Sequence, residues 1–405
     1  MRLSGKTGRM ATMQRSIRFG LAAMLSVALI GTAGAANKSK LSTYDSGKPV
    51  VGLSCVQPLP TQAAVLVGGG TDVKAAFTWM IEQSRACADG AAPRAGNFVV
   101  VRAAGNPDYD RFIYKLGELA SVRTIVVPTV DAANSPELDA YIQNASAIWL
   151  TGGDQGDYYT LWQGTRLARL IADQVAAHRV PIGGTSAGMM MMSEFNYLAT
   201  PSTITSAEAL ANPYKPDATT IANDFWSTAS AANPMRAPIA GLENTITDSH
   251  FFSRDRMGRL VTFLARIMAA DAARYYSGDD VPVPVAQARA IGVDPETALL
   301  LQYSAGKRNA VSFTGRTITN PGTTGHAYVL QPTTAPACTS QTAFEAGCGS
   351  QPGEFNFARI DVIRSGDGGF IDFRSPNNST GVSYYGIDVT KNVLTGNSGG
   401  YNGLY

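Results

Sequence analysis

Gly184-Thr185-Ser186-Ala187-Gly188 places a serine between two glycines, directly after the apolar Val180-Pro181-Ile182 and before four consecutive methionines, Met189 to Met192. G-x-S-x-G at a strand-to-helix turn is the pattern of a nucleophile elbow, a sharp turn that holds a serine hydroxyl out over a sheet and leaves room only for small neighbours. The chemistry this implies is acyl transfer, with Ser186 as nucleophile and the backbone N–H of Ala187 as one oxyanion donor. A serine hydroxyl is a weak nucleophile and needs a base, usually histidine. The chain has three histidines. His178 reads as the polar end of a helix, and His326 as part of an exposed Gly/Thr-rich stretch, PGTTGHAY. His250 ends the strand-like Thr245-Ile246-Thr247-Asp248-Ser249. Residues at the carboxyl ends of strands converge on the ligand crevice of a doubly wound sheet, so His250 is the expected general base.

The segment that follows is Ser253-Arg254-Asp255-Arg256-Met257-Gly258-Arg259. Met257, Leu260, Val261, Leu264 and Met268 make an apolar stripe at helical spacing. Arg256 and Arg259, three apart, share another face. Arginine near a helix N-terminus opposes the helix dipole, and cations placed there point to a carboxylate ligand. A solvated basic face is the competing reading.

Positioning these residues takes a sheet. Ala63–Val67, Phe98–Val101, Thr124–Val127 and Ala147–Leu150 are short continuous apolar runs. Helical stretches alternate with them, one from Asp72 to about Cys87 and one from Asp154 to Ala177. Strands without polar alternation imply a sheet buried on both faces. The fold class is therefore α/β, a doubly wound, mostly parallel sheet with helices on both faces. Residues 36–60 form an N-terminal segment and 61–330 the α/β domain. Within it, 197–245, rich in Pro, Ser, Thr, Asn and Ala, reads as an insertion over one end of the sheet. From Ala298 onward no helix is expected, and 331–405 reads as a small β-rich C-terminal extension.

The chain has 405 residues, 16% of them charged, and a formal net charge of +2. No Lys/Arg block offers nucleic acid a footprint. Neither C-x-x-C nor H-E-x-x-H occurs, so no metal site and no cofactor is expected. Residues 1–35 hold Arg2, Lys6, Arg9, Arg15 and Arg18 and no acid, then an apolar run Phe19–Ile30 and Ala33-Gly34-Ala35. This reads as a secretory signal peptide cleaved before Ala36, its long n-region pointing to a true start at Met10 or Met13. The run is shorter than the roughly 20 residues that span a bilayer, so no membrane attachment is expected after cleavage. Loss of those five cations turns the net charge of +2 into −3. Cys55, Cys87, Cys338 and Cys348 fit an exported protein with two disulfides, sequence proximity favouring Cys55–Cys87 and Cys338–Cys348.

Taken in order, Leu66-Val67-Gly68-Gly69-Gly70, Thr151-Gly152-Gly153-Asp154-Gln155, the Ser186 elbow, Asp248-Ser249-His250-Phe251 with Arg254, Arg256 and Arg259, and Ile291-Gly292-Val293-Asp294 with Thr297-Ala298-Leu299 resemble the cyanophycinase and dipeptidase E family of serine peptidases. The likeness is closest to the secreted, extracellular cyanophycinases. It implies a class I glutamine amidotransferase-like fold, with Gly153 giving the second oxyanion N–H beside Ala187. It also implies substrate contacts from Gln155, Asp248, Ser249, Arg254, Arg256 and Arg259. The implied substrate is multi-L-arginyl-poly-L-aspartate, cut to β-Asp-Arg dipeptides, or other Asp-containing peptides. The arginines would clamp backbone carboxylates, and Asp248 would pair with a substrate guanidinium.

The family carries Glu after the Asp of its I-G-x-D motif as third triad member, where this chain has Pro295. Asp294 and Glu296 flank that position as candidate acids, and a Ser–His dyad is the alternative. Ser249 stands where intracellular relatives tend to carry Gln. Two other readings stay open. One is an α/β-hydrolase esterase with His326 as base, and the other a catalytically impaired polymer-binding homologue. A homodimer is an open assembly state.

Overall fold

Apolar runs fold here as strands covered on both faces. The computed structural model describes residues 40–51, 61–84, 95–215, 220–227, 235–271, 282–305, 311–348, 350–396 and 403–405. The expected leader over 1–35 and the expected Cys55–Cys87 bridge lie outside them. Strands β1 (Ser42–Gly47), β2 (Gln62–Val67), β3 (Ala95–Arg102), β4 (Leu119–Val126), β5 (Ala145–Leu150) and β6 (Ile182–Thr185) lie in the order β1-β4-β3-β5-β6-β2. Strands β2 to β6 pair in parallel, and β1 closes the edge antiparallel to β4.

The longer helices on this half are α1 (Lys74–Ser84), α2 (Asp108–Tyr114), α3 (Gln155–Trp162) and α4 (Arg166–His178). Phe77 and Met80 of α1 share a core with Val65, Val67 and Trp149. Leu167, Ile171 and Val175 of α4 share another with Leu66, Ile148 and Leu150. Successive strand residues point to opposite faces, so each strand feeds both cores. The stretch from Asp154 to Ala177 is two helices rather than one, because Gly164 takes φ +68° between them.

The other half is built from β7 (Thr245–Asp248), β8 (Arg289–Val293), β9 (Thr297–Ala305), β10 (Val311–Thr319), β11 (Ala327–Pro332) and β12 (Phe357–Asp372). Their path continues β2-β9-β10-β12-β11-β8-β7, antiparallel except for β7 with β8. Strands β13 (Thr380–Thr390) and β14 (Val393–Gly396) extend it from β12. The α/β class holds, and the sheet is mixed, parallel around β2 to β6 and mainly antiparallel beyond. The path curls back on itself. Five strands separate β2 from β7 along it, yet His250 N–H, just after β7, donates to Gly68 O at the end of β2 at 2.7 Å. Phe251 N–H donates to Val293 O at the end of β8.

Four further helices are α5 (Ala187–Met190), α6 (Ser206–Ala211), α7 (Met257–Ile267) and α8 (Gln341–Ala346). From the 197–245 insertion, α6 packs on α7, where a Cβ on Gly258 would meet Leu210 and Ser206. Helix α8 was not expected from sequence. Ser340 caps its N-terminus, Gly347 ends it at φ +80°, and the Cys338–Cys348 disulfide brackets it.

Candidate active site

Strand β6 sits between β5 and β2, so the loops after those three strands meet at their carboxyl ends. Ser186 takes φ +52°, ψ −115° between β6 and α5. This strained backbone is held by Ser186 N–H on Val67 O at 3.0 Å and Met190 N–H on Ser186 O at 3.1 Å. The flanking glycines are a packing requirement. A Cβ on Gly184 would lie 2.5 Å from the Gly188 backbone, and one on Gly188 would lie 2.2 Å from Leu150 O. Met189 to Met192 are buried and anchor the turn from below.

The loop after β5 runs alongside, with Gly152 so close that a Cβ there would be 3.4 Å from Ser186 Cβ. Tyr158 of α3 fixes this loop, its hydroxyl 2.9 Å from Thr151 O and 3.1 Å from Gly152 O. Burial pushes the Tyr158 hydroxyl up to about 12. Asp154 caps α3 through Gly156 N–H at 2.8 Å. Among the described residues the N–H groups of Gly153 and Ala187 meet no acceptor. Gln155, half-buried at the start of α3, makes no side-chain hydrogen bond to them either.

His250 closes the constellation from the other half of the sheet. Its Nε2 stands 2.9 Å from Ser186 Oγ. The backbone takes φ +45°, fixed by the bond to Gly68 O. Gly69, at φ +98°, lies directly against the ring, since a Cβ there would be 2.4 Å from both Nε2 and Cε1. Burial first, then the nearby Arg254, pulls the imidazole down to about 4. It is therefore neutral at pH 7 and able to accept the serine proton.

The acids and arginines stand elsewhere than the sequence led us to expect. Asp294 does not orient His250. Its Oδ1 accepts Phe252 N–H at 2.7 Å, and its Oδ2 accepts His326 N–H at 2.9 Å and the Tyr328 hydroxyl at 3.3 Å. Glu296, at φ +57°, turns its carboxylate to Thr71 Oγ1 at 3.1 Å. Both acids lie in the turn between β8 and β9, where the positive φ of Glu296 breaks strand alternation and sends the two carboxylates different ways. No described carboxylate reaches His250 Nδ1. His326, the esterase candidate, faces Asp294 at 3.8 Å, and Ser186 pairs with His250 instead.

Asp248, Ser249, Arg256 and Arg259 form a buried cluster behind His250, not an open clamp. Asp248 is 0% and Arg259 3% exposed. Arg259 grips Asp248 with two nitrogens at 2.7 and 2.6 Å, and also reaches Thr203 Oγ1 and Ile204 O. Arg256 donates to Asp248 at 3.0 Å and to Ser249 O at 2.7 Å, and burial lowers it to about 10. A buried charge must be paired, and Asp248 is the one carboxylate these two share. Every residue of α7 is buried, which leaves its arginines no solvated face. Arg254 differs. It is exposed, and its side chain meets no hydrogen-bond or ion-pair partner among the described residues.

Residues 104–210, which carry the Gly152-Gly153 loop and the elbow, match peptidase family S51. Cyanophycinases of Geminocystis herdmanii and Nostoc sp. are 25% and 24% identical over 208 and 213 residues, 50% and 51% of this chain. Over residues 104–210 the chain is similar to peptidase family S51. Those alignments take in 68% and 63% of the relatives' own lengths, so the chain spans about two thirds of them. The crystal structure of a peptidase from an acI-B1 Actinobacterium aligns with TM-score 0.40 and 15% identity, over 66% of this chain and 91% of that one.

The structure brings together Ser186 and His250, with Ala187 next in the chain and the Gly152-Gly153 loop alongside; Gln155 opens α3 after that loop, and Arg254 lies exposed on the turn after His250. It keeps Asp294, Glu296, Asp248, Ser249, Arg256 and Arg259 out of reach of the serine. Two contributors were missed from sequence, the Gly69 platform under the imidazole and the Tyr158 hydroxyl under the Gly152 loop. The triple glycine after β2 was a signal for the first. Nothing local marks the second, because Tyr158 reads as an ordinary apolar helix position.

Proposed function

We propose that this protein is a member of peptidase family S51 and a secreted serine exopeptidase that hydrolyses multi-L-arginyl-poly-L-aspartate to β-Asp-Arg dipeptides. The observation that carries the reaction type is Ser186 Oγ at 2.9 Å from a neutral His250 Nε2. As Ser186 Oγ attacks the scissile carbonyl, its proton passes to Nε2. The Gly153 and Ala187 N–H groups, free of other acceptors, receive the oxyanion. Collapse returns the proton from Nε2 to the leaving amine and leaves an acyl-enzyme on Ser186. A water activated by the same nitrogen then releases the acid. The substrate assignment draws on the relatives' name, cyanophycinase, and on the exposed Arg254 beside the base. Export draws on the basic, then apolar, N-terminal segment.

A second reading, other aspartyl peptides, is favoured by one observation: the two arginines expected to grip a polymer are spent on Asp248. The test is incubation of the purified protein with cyanophycin granules and with short aspartyl peptides, alongside labelling by a serine-directed phosphonate. The expected result is β-Asp-Arg release and labelling at Ser186, both lost in Ser186→Ala, with release also lost in His250→Ala. Peptide turnover with untouched granules selects the second reading. Granule binding without labelling or turnover overturns both.

A further inference from the structure

Among the described residues the base meets no acid, and the cation beside it meets no anion. Accepting the Ser186 proton at Nε2 requires the tautomer protonated on Nδ1, and that N–H meets no described carboxylate. Among the leading influences on the ring, burial and then Arg254, Arg256 and Arg259 disfavour its charged form, and Asp248 favours it. Asp248 is fully engaged by Arg256 and Arg259, so it cannot also serve the imidazole. Asp255, the next acid along the turn, accepts the Tyr405 hydroxyl at 2.6 Å. Asp294 and Glu296 are bound elsewhere. Arg254 sits on the turn that His250 opens, its N–H on His250 O at 3.2 Å, with an exposed guanidinium.

We propose that the missing anion arrives with the substrate: a free carboxylate of the peptide, gripped by Arg254, accepts the hydrogen bond from His250 Nδ1–H and completes the triad only in the complex. The inference rests on the serine-peptidase reading above. The ligand carboxylate would act as a triad acid does, orienting the ring and stabilising the imidazolium without itself taking the proton. It would also offset the surplus positive charge around the base. A peptide lacking that carboxylate could still bind and be attacked, but slowly.

The experiment compares an aspartyl-arginine peptide ending in a free carboxylate with the same peptide capped as its carboxamide. A kcat about 10²-fold or more lower is expected for the carboxamide, by the scale of losing a triad acid. Added formate should restore part of it. The acid limb of kcat should lie at higher pH for the carboxylate peptide, because an adjacent anion favours the protonated imidazole. Arg254→Gln should abolish the difference between the two peptides. Equal kcat values, a deficit confined to KM, or no response to formate overturns the proposal. Ser186→Ala in the same assay separates the two layers. If it stays active, the serine-peptidase reading fails; if it is dead while the peptides turn over alike, only this inference fails.

Discussion

Gly69→Ala offers a direct way to move the base without touching it. A Cβ at this position would stand 2.4 Å from His250 Nε2 and Cε1 and 3.1 Å from Nδ1. Comfortable contact needs about 3.5 Å, so the ring must retreat by roughly 1 Å. The 2.9 Å bond to Ser186 Oγ would then stretch to nearly 4 Å, beyond any hydrogen bond. A misplacement of that size costs on the order of 10²-fold in rate. Alanine at φ +98° also strains the backbone, at about 1–3 kcal/mol, so a loss of stability alone proves little. Gly70→Ala is the control. It carries similar strain at φ +78°, but its Cβ would come nearest to Glu296 and Pro295, at 3.2 Å, rather than to the imidazole. Peptide hydrolysis and thermal unfolding of both purified variants decide the matter. The expected outcome is comparable destabilisation, with kcat lost only in Gly69→Ala. Equal kcat losses in the two, or a folded Gly69→Ala with undiminished kcat, would refute the role assigned to the glycine platform.

Two further outcomes follow from the charges around the base. The His250 imidazole, lowered to about 4, must be neutral to act, so kcat/KM should fall only as pH drops through about 4, well below the usual 6.5. Arg254→Gln removes a cation that opposes protonation and should shift this limb to higher pH, whereas an unmoved limb would rule out Arg254 as a charge felt by the ring. Asp248→Asn strips the shared carboxylate from Arg256 and Arg259 and should destabilise the protein by about 3–5 kcal/mol, read as a lower urea midpoint at unchanged m. An unchanged midpoint would show that the cluster is not the buried network described.

The sequence made the elbow and the base legible because both are local patterns: small residues around Ser186, and a histidine at the end of an apolar strand. The parallel half of the sheet was legible for the same reason, since a run such as Ala147–Leu150 can only be buried on both faces. The curl that carries β7 back to β2 was not legible, because it depends on antiparallel pairing of strands distant in sequence. The arginines were misread for a related reason. A cation at a helix start reads as exposed when the helix is considered alone, yet this one is buried throughout, packed on α6, β7 and β8. An all-apolar stretch from Leu260 to Ala265, interrupted only by Thr262, did indicate a helix with no wet face.

A triad acid has two tasks, to hold the imidazole in place and to stabilise its charge once it takes the proton. The backbone already performs the first task here. His250 N–H is fastened to Gly68 O, the ring rests on Gly69, and Asp294 fastens the following turn through Phe252 N–H. Asp294 thus serves the base through the main chain rather than through Nδ1. The second task is opposed by the protein, because burial first, and then Arg254, Arg256 and Arg259 against Asp248, disfavour the charged ring. On the proposed reading, the described residues leave the free protein short of charge, not geometry, and a deficit of that kind can be supplied by a ligand whereas misplaced geometry cannot. A base placed in a positive field would stay a poor catalyst for neutral peptides and become competent with anionic ones. Selectivity for acidic substrates would then appear in kcat, where a site that merely bound the acid would show it in KM.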